Sequence, residues 1–275
     1  MSSKNQLGGM VYFVYNEELK NNGRNPVLMI HGHGGDHQGL EEIAKQLNTI
    51  VIIPDLPGFG ESKEITEHTI EAYTEDLNTL MNDLGLERYD IIGHSFGAAL
   101  ALLLATKYKK ARRLLLINPA PQISFYLKNL LLTLYKAIEK LPEEYKHRLV
   151  HADWYNTAGF LIASGSRYSQ QKMKIYVANQ KKINYSFRAW AQCMESIYSF
   201  DQIALAKKCN VPVVMMHGDR DMLVSAKSTI LLHKEFSDAE LVRVPEAGHF
   251  IPIENADKAV EQALRLFDAS VFFCR

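Results

Sequence analysis

A chain of 275 residues with 47% hydrophobic content is long enough to bury a substantial core, as one large α/β domain or two small ones. Lysine plus arginine balances aspartate plus glutamate at 31 each, and the resulting zero net charge gives no reason to expect nucleic acid or an anionic membrane as a partner. Cys193, Cys209 and Cys274 are scattered without CxxC spacing, which argues against a disulfide framework or a zinc knot and predicts reduced thiols.

The segment MSSKNQLGGM lacks the apolar stretch of a secretory signal, and no later run reaches the about eighteen apolar residues of a bilayer span. The expectation is a soluble, cytoplasmic protein whose NYS sequon at Asn184 goes unused. Short runs rich in Val and Ile then alternate with segments of helical period, the pattern of a doubly wound, mostly parallel sheet. VYFVY (11–15) and VLMI (27–30) are the first predicted strands. The loop that follows, IHGHGGDH (30–37), threads Gly32, Gly34 and Gly35 between His31, His33, Asp36 and His37. Its spacing resembles the HxHxDH cradle of metallo-β-lactamase-like hydrolases, but the aspartate and last histidine each fall one residue late, a slip that ligand geometry tolerates poorly. No metal is expected here, and a glycine-rich turn presenting backbone N–H groups to an anion is the better reading. A helix is predicted over 39–47, a strand over IVIIP (50–54), a tight loop organised by Asp55 over DLPGFGES (55–62), and a helix over 70–84.

The strand YDIIG (89–93) runs into Gly93-His94-Ser95-Phe96-Gly97, and a helix-forming stretch (95–108) begins at once. A Gly-x-Ser-x-Gly turn between strand and helix holds its serine strained and exposed, and its glycines let strand and helix approach closely. Ser95 is therefore the candidate nucleophile. His94 beside it points to the opposite face and is expected to pack. KYKKARR (107–113) reads as a solvated helix end whose cations complement the dipole.

RLLLIN (113–118) is the next strand. Between Asn118 and Val211 nothing resembles another sheet strand, whereas LKNLLLTLYKAIEKL and SFRAWAQCMESI have helical period. The predicted organisation is thus a core of 1–118 and 211–275 with a mostly helical insertion over 119–210, placed after a strand end where it could act as a lid. The insertion is rich in aromatics, among them Trp154 and Trp190, a few of which are expected to face an apolar pocket. After the strand VPVVMMH (211–217), the loop HGDRD offers Asp219 and Asp221. A helix (225–236), the strand ELVRV (240–244) and the loop AGHF, which offers His249, precede a last helix (257–267). A serine hydroxyl needs a base, usually a histidine held by a carboxylate, and the chain order serine, aspartate, histidine suits this topology.

These motifs together resemble the α/β-hydrolase family, in particular its capped esterase and epoxide-hydrolase-like group, over nearly the whole chain. The resemblance implies Ser95 as nucleophile, His249 as general base and Asp221 as the acid, because the family's carboxylate lies three residues after a glycine matching Gly218. Asp219 is then a turn-forming or salt-bridging residue. It implies an oxyanion hole built by the backbone N–H groups of His33 and Phe96, and His31 and His37 become loop-packing residues. A small-molecule acyl substrate, no cofactor and no metal follow. Ser95 in place of an aspartate argues against dehalogenase and epoxide hydrolase chemistry, and HGHGG differs from the HGGPG of proline iminopeptidases. A carboxylic ester is the expected substrate. Carbon–carbon bond hydrolysis of the meta-cleavage type is the runner-up, with Arg167 or Arg188 holding a substrate carboxylate, although Phe250 stands where those enzymes usually carry tryptophan. Thioesterase, acyltransferase and lid-gated ligand receptor remain alternatives. Trp154, Arg188, Trp190 and Phe250 are the candidate substrate contacts, and the sequence carries no signal for oligomeric state.

Overall fold

The computed structural model describes residues 2–121, 133, 136–150, 164, 171–176 and 186–268. Strands β1 (Ser2–Leu7), β2 (Met10–Tyr15), β3 (Val27–Ile30), β4 (Val51–Pro54), β5 (Tyr89–His94), β6 (Ala111–Ile117), β7 (Val213–Gly218) and β8 (Ala239–Val244) form one sheet in the order β1-β2-β4-β3-β5-β6-β7-β8. From β4 to β8 all pairings are parallel, and β1 and β2 add an antiparallel edge. Helices with defined bounds among the described residues include α1 (Glu41–Ala44), α2 (Ile70–Asp83), α3 (Phe96–Lys107), α4 (Glu143–Val150), α5 (Phe187–Ser199), α6 (Gln202–Ala206), α7 (Ala226–His233), α8 (Ile251–Glu254) and α9 (Ala256–Phe267).

The central strands read as near-continuous apolar runs because both faces are covered. Alternate residues divide between the two sides: Leu28, Ile30, Ile91, Leu114 and Leu116 pack with Tyr73 and Leu77 of α2 and Leu100 and Leu104 of α3. Val27, Met29, Ile92, Leu115 and Ile117 pack with Ile43 of α1 and Ala259, Val260 and Leu266 of α9. Each large side chain buried in this way contributes roughly 1.5–3 kcal/mol. Helix α3 is buried on all sides from Phe96 to Ala105, so it lacks a polar face. Thr69, Ser186 and Ser225 cap α2, α5 and α7, each side chain accepting from an amide three residues on.

Three elements depart from the sequence expectation. Strand β1 is polar and half exposed, and it forms because β2 offers it an edge. The helix expected over 39–47 is a 3₁₀ turn, His37–Leu40, followed by the single turn α1. Helix α8, with Pro252 in its first turn, was not anticipated. Of the interval 119–210, helix α5 matches the predicted SFRAWAQCMESI, while Trp154 and Arg167 lie outside the described residues. Among the described residues, no helix is long and apolar enough to cross a membrane.

Strand order reverses at β3, since the chain steps from β3 outward to β4 and returns on the other side as β5. In open α/β sheets the crevice beyond the strand C-termini at such a reversal is where ligands bind. The loops leaving β3 and β5 are those carrying HGHGG and GHSFG.

Candidate active site

The turn from β5 to α3 holds Ser95 at φ 51 and ψ −109, a conformation that non-glycine residues avoid. What imposes it is close packing. A Cβ at Gly97 would lie 2.2 Å from the Ile30 carbonyl oxygen, and one at Gly93 would lie 2.4 Å from that of Gly97. The Ser95 amide donates to the Ile117 carbonyl at 2.9 Å, which ties the elbow to β6.

Loops after β7 and β8 bring the other predicted residues to this serine. Ser95 Oγ lies 2.9 Å from His249 Nε2, and His249 Nδ1 lies 2.7 Å from Asp221 Oδ2. The carboxylate oxygen can only accept, so Nδ1 carries the proton and Nε2 is left to accept from the serine hydroxyl. Asp221 Oδ1 accepts from the amides of Leu223 and Val224, each at 2.8 Å. Burial alone would raise the Asp221 carboxyl, but the charge and hydrogen bond of His249 and these amides outweigh it and hold the group below the usual carboxylate value. Asp219 turns outward and accepts from Arg243 Nε at 2.7 Å. Gly218 permits the arrangement, since a Cβ there would sit 2.1 Å from the Gly248 carbonyl oxygen.

Three residues hold the His249 loop and its acid without having been read from sequence in that role. Glu254 accepts from the Gly248 amide at 2.8 Å and from the Phe250 amide at 3.0 Å, gripping the backbone on both sides of His249. His94 packs as expected and also donates from Nε2 to the His249 carbonyl at 2.8 Å. Burial, together with the nearby His249, pushes His94 down to about 3, so it stays neutral. Asn118, at φ 46 just beyond β6, donates from Nδ2 to Asp221 Oδ2 at 2.7 Å. The signals available were an acidic residue inside the apolar FIPIE stretch and an amide closing the apolar run LLLI at the end of β6.

The glycine loop after β3 abuts the elbow, for a Cβ on Gly32 would lie 3.4 Å from that of Ser95. Phe96 opens α3, where first-turn N–H groups have no partner within the helix. The four polar side chains of this loop point to separate partners. His31 donates from Nδ1 to the Gly32 carbonyl at 2.8 Å and accepts at Nε2 from the Leu56 amide at 3.0 Å. His33 Nε2 donates to the Trp190 carbonyl at 2.6 Å. His37 donates from Nδ1 to Asp55 at 2.8 Å and stacks on Phe13, and Asp36 caps the following 3₁₀ turn. Asp55 also accepts from the His37 and Glu61 amides, so it organises the DLPGFGES loop. Among the described residues no group of three or more His, Cys, Asp or Glu is arranged to hold a metal ion.

Of the candidate substrate contacts, Phe250 packs edge-on against His249 with ring centroids 5.5 Å apart. With His33, Gly34, His94 and Ile253 it lines a cavity of about 30 Å³, room for one or two waters. Trp190 is half-buried and its ring lies 5.3 Å from that of His33. Arg188 is exposed and donates to the Thr66 carbonyl, and Trp154 is outside the described residues.

Comparison with known proteins agrees with this architecture. The sequence model of a family described as alpha/beta hydrolase fold matches residues 25–256. The chain is 27% identical over 246 residues to Lipase 1 of Psychrobacter immobilis, covering 86% of this chain and 74% of that one. It is 23% identical to a 2-hydroxy-6-oxo-2,4-heptadienoate hydrolase of Pseudomonas putida, covering 84% of each. A thermophilic esterase from Thermogutta terrifontis superimposes with a TM-score of 0.77 at 20% identity, covering 96% of this chain and 97% of that one.

Proposed function

The chain belongs to the α/β-hydrolase fold family, and from that premise we propose that it is a serine hydrolase acting on a carboxylic ester of a small, largely apolar substrate. The observation that carries this reading is the hydrogen-bonded sequence Ser95–His249–Asp221 at 2.9 and 2.7 Å, with the serine on a strained turn. Ser95 Oγ attacks the ester carbonyl carbon while its proton passes to His249 Nε2. The resulting oxyanion is held by the N–H groups of His33 and Phe96. Asp221 stays ionised and stabilises the imidazolium, and its low carboxyl value supports that role. The C–O bond to the alcohol then breaks, and the alcohol takes the proton from His249 as it leaves an acyl-enzyme. Water attacks this ester with His249 again as base, releasing the acid and restoring the serine.

The likeness to a heptadienoate hydrolase supports a second reading, cleavage of a carbon–carbon bond in a vinylogous diketone through the same three residues. On either reading helix α5 borders the site, with the Trp190 ring 5.3 Å from that of His33. A fluorophosphonate probe tests the common chemistry, because only an activated serine reacts with it at a useful rate. Wild-type protein is expected to label stoichiometrically and Ser95→Ala not at all; full labelling of Ser95→Ala would overturn the assignment. A panel of ester, thioester, amide and vinylogous diketone substrates separates the two readings by turnover.

A further inference from the structure

We infer that His33 is a positioning residue whose imidazole fastens the glycine loop to α5, so that a helix of the 119–210 interval fixes the direction of an oxyanion-hole N–H. The inference rests on the reading above, in which the His33 amide faces the developing oxyanion.

The bond that carries it is the 2.6 Å contact between His33 Nε2 and the Trp190 carbonyl, across 157 positions of sequence. A carbonyl oxygen only accepts, so the ring proton resides on Nε2. Burial pushes this imidazole down to about 4, and it therefore stays neutral in ordinary buffers with its donor intact. The ring is held laterally by Trp190 at 5.3 Å and by the edge of Phe59 at 6.0 Å.

His33 stands between Gly32 and Gly34, and Gly34 sits at φ 72. Glycines supply the turn but no side chain to hold it, and their neighbouring peptide planes rotate at little cost. The imidazole between them supplies the missing lateral anchor. Direction matters here because a hydrogen bond weakens steeply once its angle falls below about 120°.

The anchor point is itself fixed to the core. The amide of Ser186 donates to the Gly58 carbonyl at 3.1 Å, the His68 amide to Gln192 Oε1 at 3.1 Å, and the Ile70 amide to Ser196 Oγ at 2.9 Å. Gly58 lets α5 approach, for a Cβ there would meet that of Ala189 at 2.6 Å. Constraint thus passes from the loop after β4 and the start of α2 to α5, from the Trp190 carbonyl to the His33 ring, and from the ring to the N–H of the same residue.

The test compares His33→Ala, which removes the anchor, with His33→Gln, whose side-chain amide retains a donor toward the Trp190 carbonyl. The measurements are kcat and KM on p-nitrophenyl butyrate, the inhibition constant of an alkyl trifluoromethyl ketone, and thermal stability. The ketone forms a hemiketal with an activated serine, so its affinity reads the oxyanion hole directly. We expect His33→Ala to lower kcat about 10- to 100-fold with KM within about threefold, short of the 10²–10³ typical of deleting a donor outright. The inhibition constant should rise by the same factor, and His33→Gln should recover most of both. Wild-type protein that fails to label with fluorophosphonate overturns the hydrolase reading itself. Normal wild-type labelling with an unchanged ketone affinity in His33→Ala, or with Gln no better than Ala, overturns the coupling alone.

Discussion

Two aspartates in one short loop meet different fates. Asp221 gives one oxygen to His249 and Asn118 and the other to two backbone amides, whereas Asp219 pairs with Arg243 at the surface. Asp221→Asn keeps the volume but offers His249 a donor where it needs an acceptor, and a comparable change in another triad lowers turnover roughly 10⁴-fold. We expect a loss of that order in kcat/KM on an aryl ester, with the circular dichroism spectrum unchanged. Asp219→Asn loses only an exposed ion pair, worth about 0–1 kcal/mol, and should keep most activity. A crippled Asp219→Asn with an active Asp221→Asn would move the acid by two residues. Ser95 was legible because its turn lies between a strand and a helix that both declare themselves locally. Asn118 was not, because its contact lies 103 positions away, and the sequence could register only that it was not an acid.

At the scale of elements, apolar runs identified β2 to β8 and periodicity identified α2 and α9, since each buries a face whose spacing the sequence repeats, whereas α3, buried all round, was marked by its helix-forming residues directly after the Gly-x-Ser-x-Gly turn. Elements with little to bury left little trace. Strand β1 is polar, and α8 is a single turn whose role rests on one carboxylate. That carboxylate gives α8 more consequence than its length suggests. Glu254→Ala leaves two backbone N–H groups beside His249 without their acceptor, at about 1–3 kcal/mol for each that is buried. Thermal unfolding of this variant should come about 4–8 °C earlier, and kcat should fall more than KM because His249 loses its fixed position. Equal loss in kcat and KM, or none, would show that the loop is held by other contacts.

Over the whole molecule, several buried groups couple stability to pH, among them the pair Asp36 and His37 beside the glycine loop. Burial, followed by the nearby Asp55, raises Asp36 from 3.8 to about 7, while Asp55 raises His37 against the pull of its own burial. A carboxyl raised in the folded state contributes stability that is complete below its unfolded value and is lost as pH climbs through the folded one. His37 acts in the same direction, so the contribution of this pair should fall between about pH 4 and pH 7, opposed over the same range by the buried His33 and His94, whose lowered values contribute stability that grows as pH rises toward the unfolded value. Asp36→Asn keeps a carbonyl oxygen for the cap on Gln38 and removes the buried charge. Its gain over wild type in urea unfolding should be small near about pH 4 and reach the order of 2–4 kcal/mol by about pH 8. A gain independent of pH would assign the effect to packing instead. The 154 positions between Ser95 and His249 have another consequence, in time rather than in space. At roughly 5–20 residues per second, synthesis reaches the histidine on the order of ten to thirty seconds after the serine. Until the loop beyond β8 has docked, Ser95 has no His249 beside it, so under the proposed function the growing polypeptide carries no activated serine.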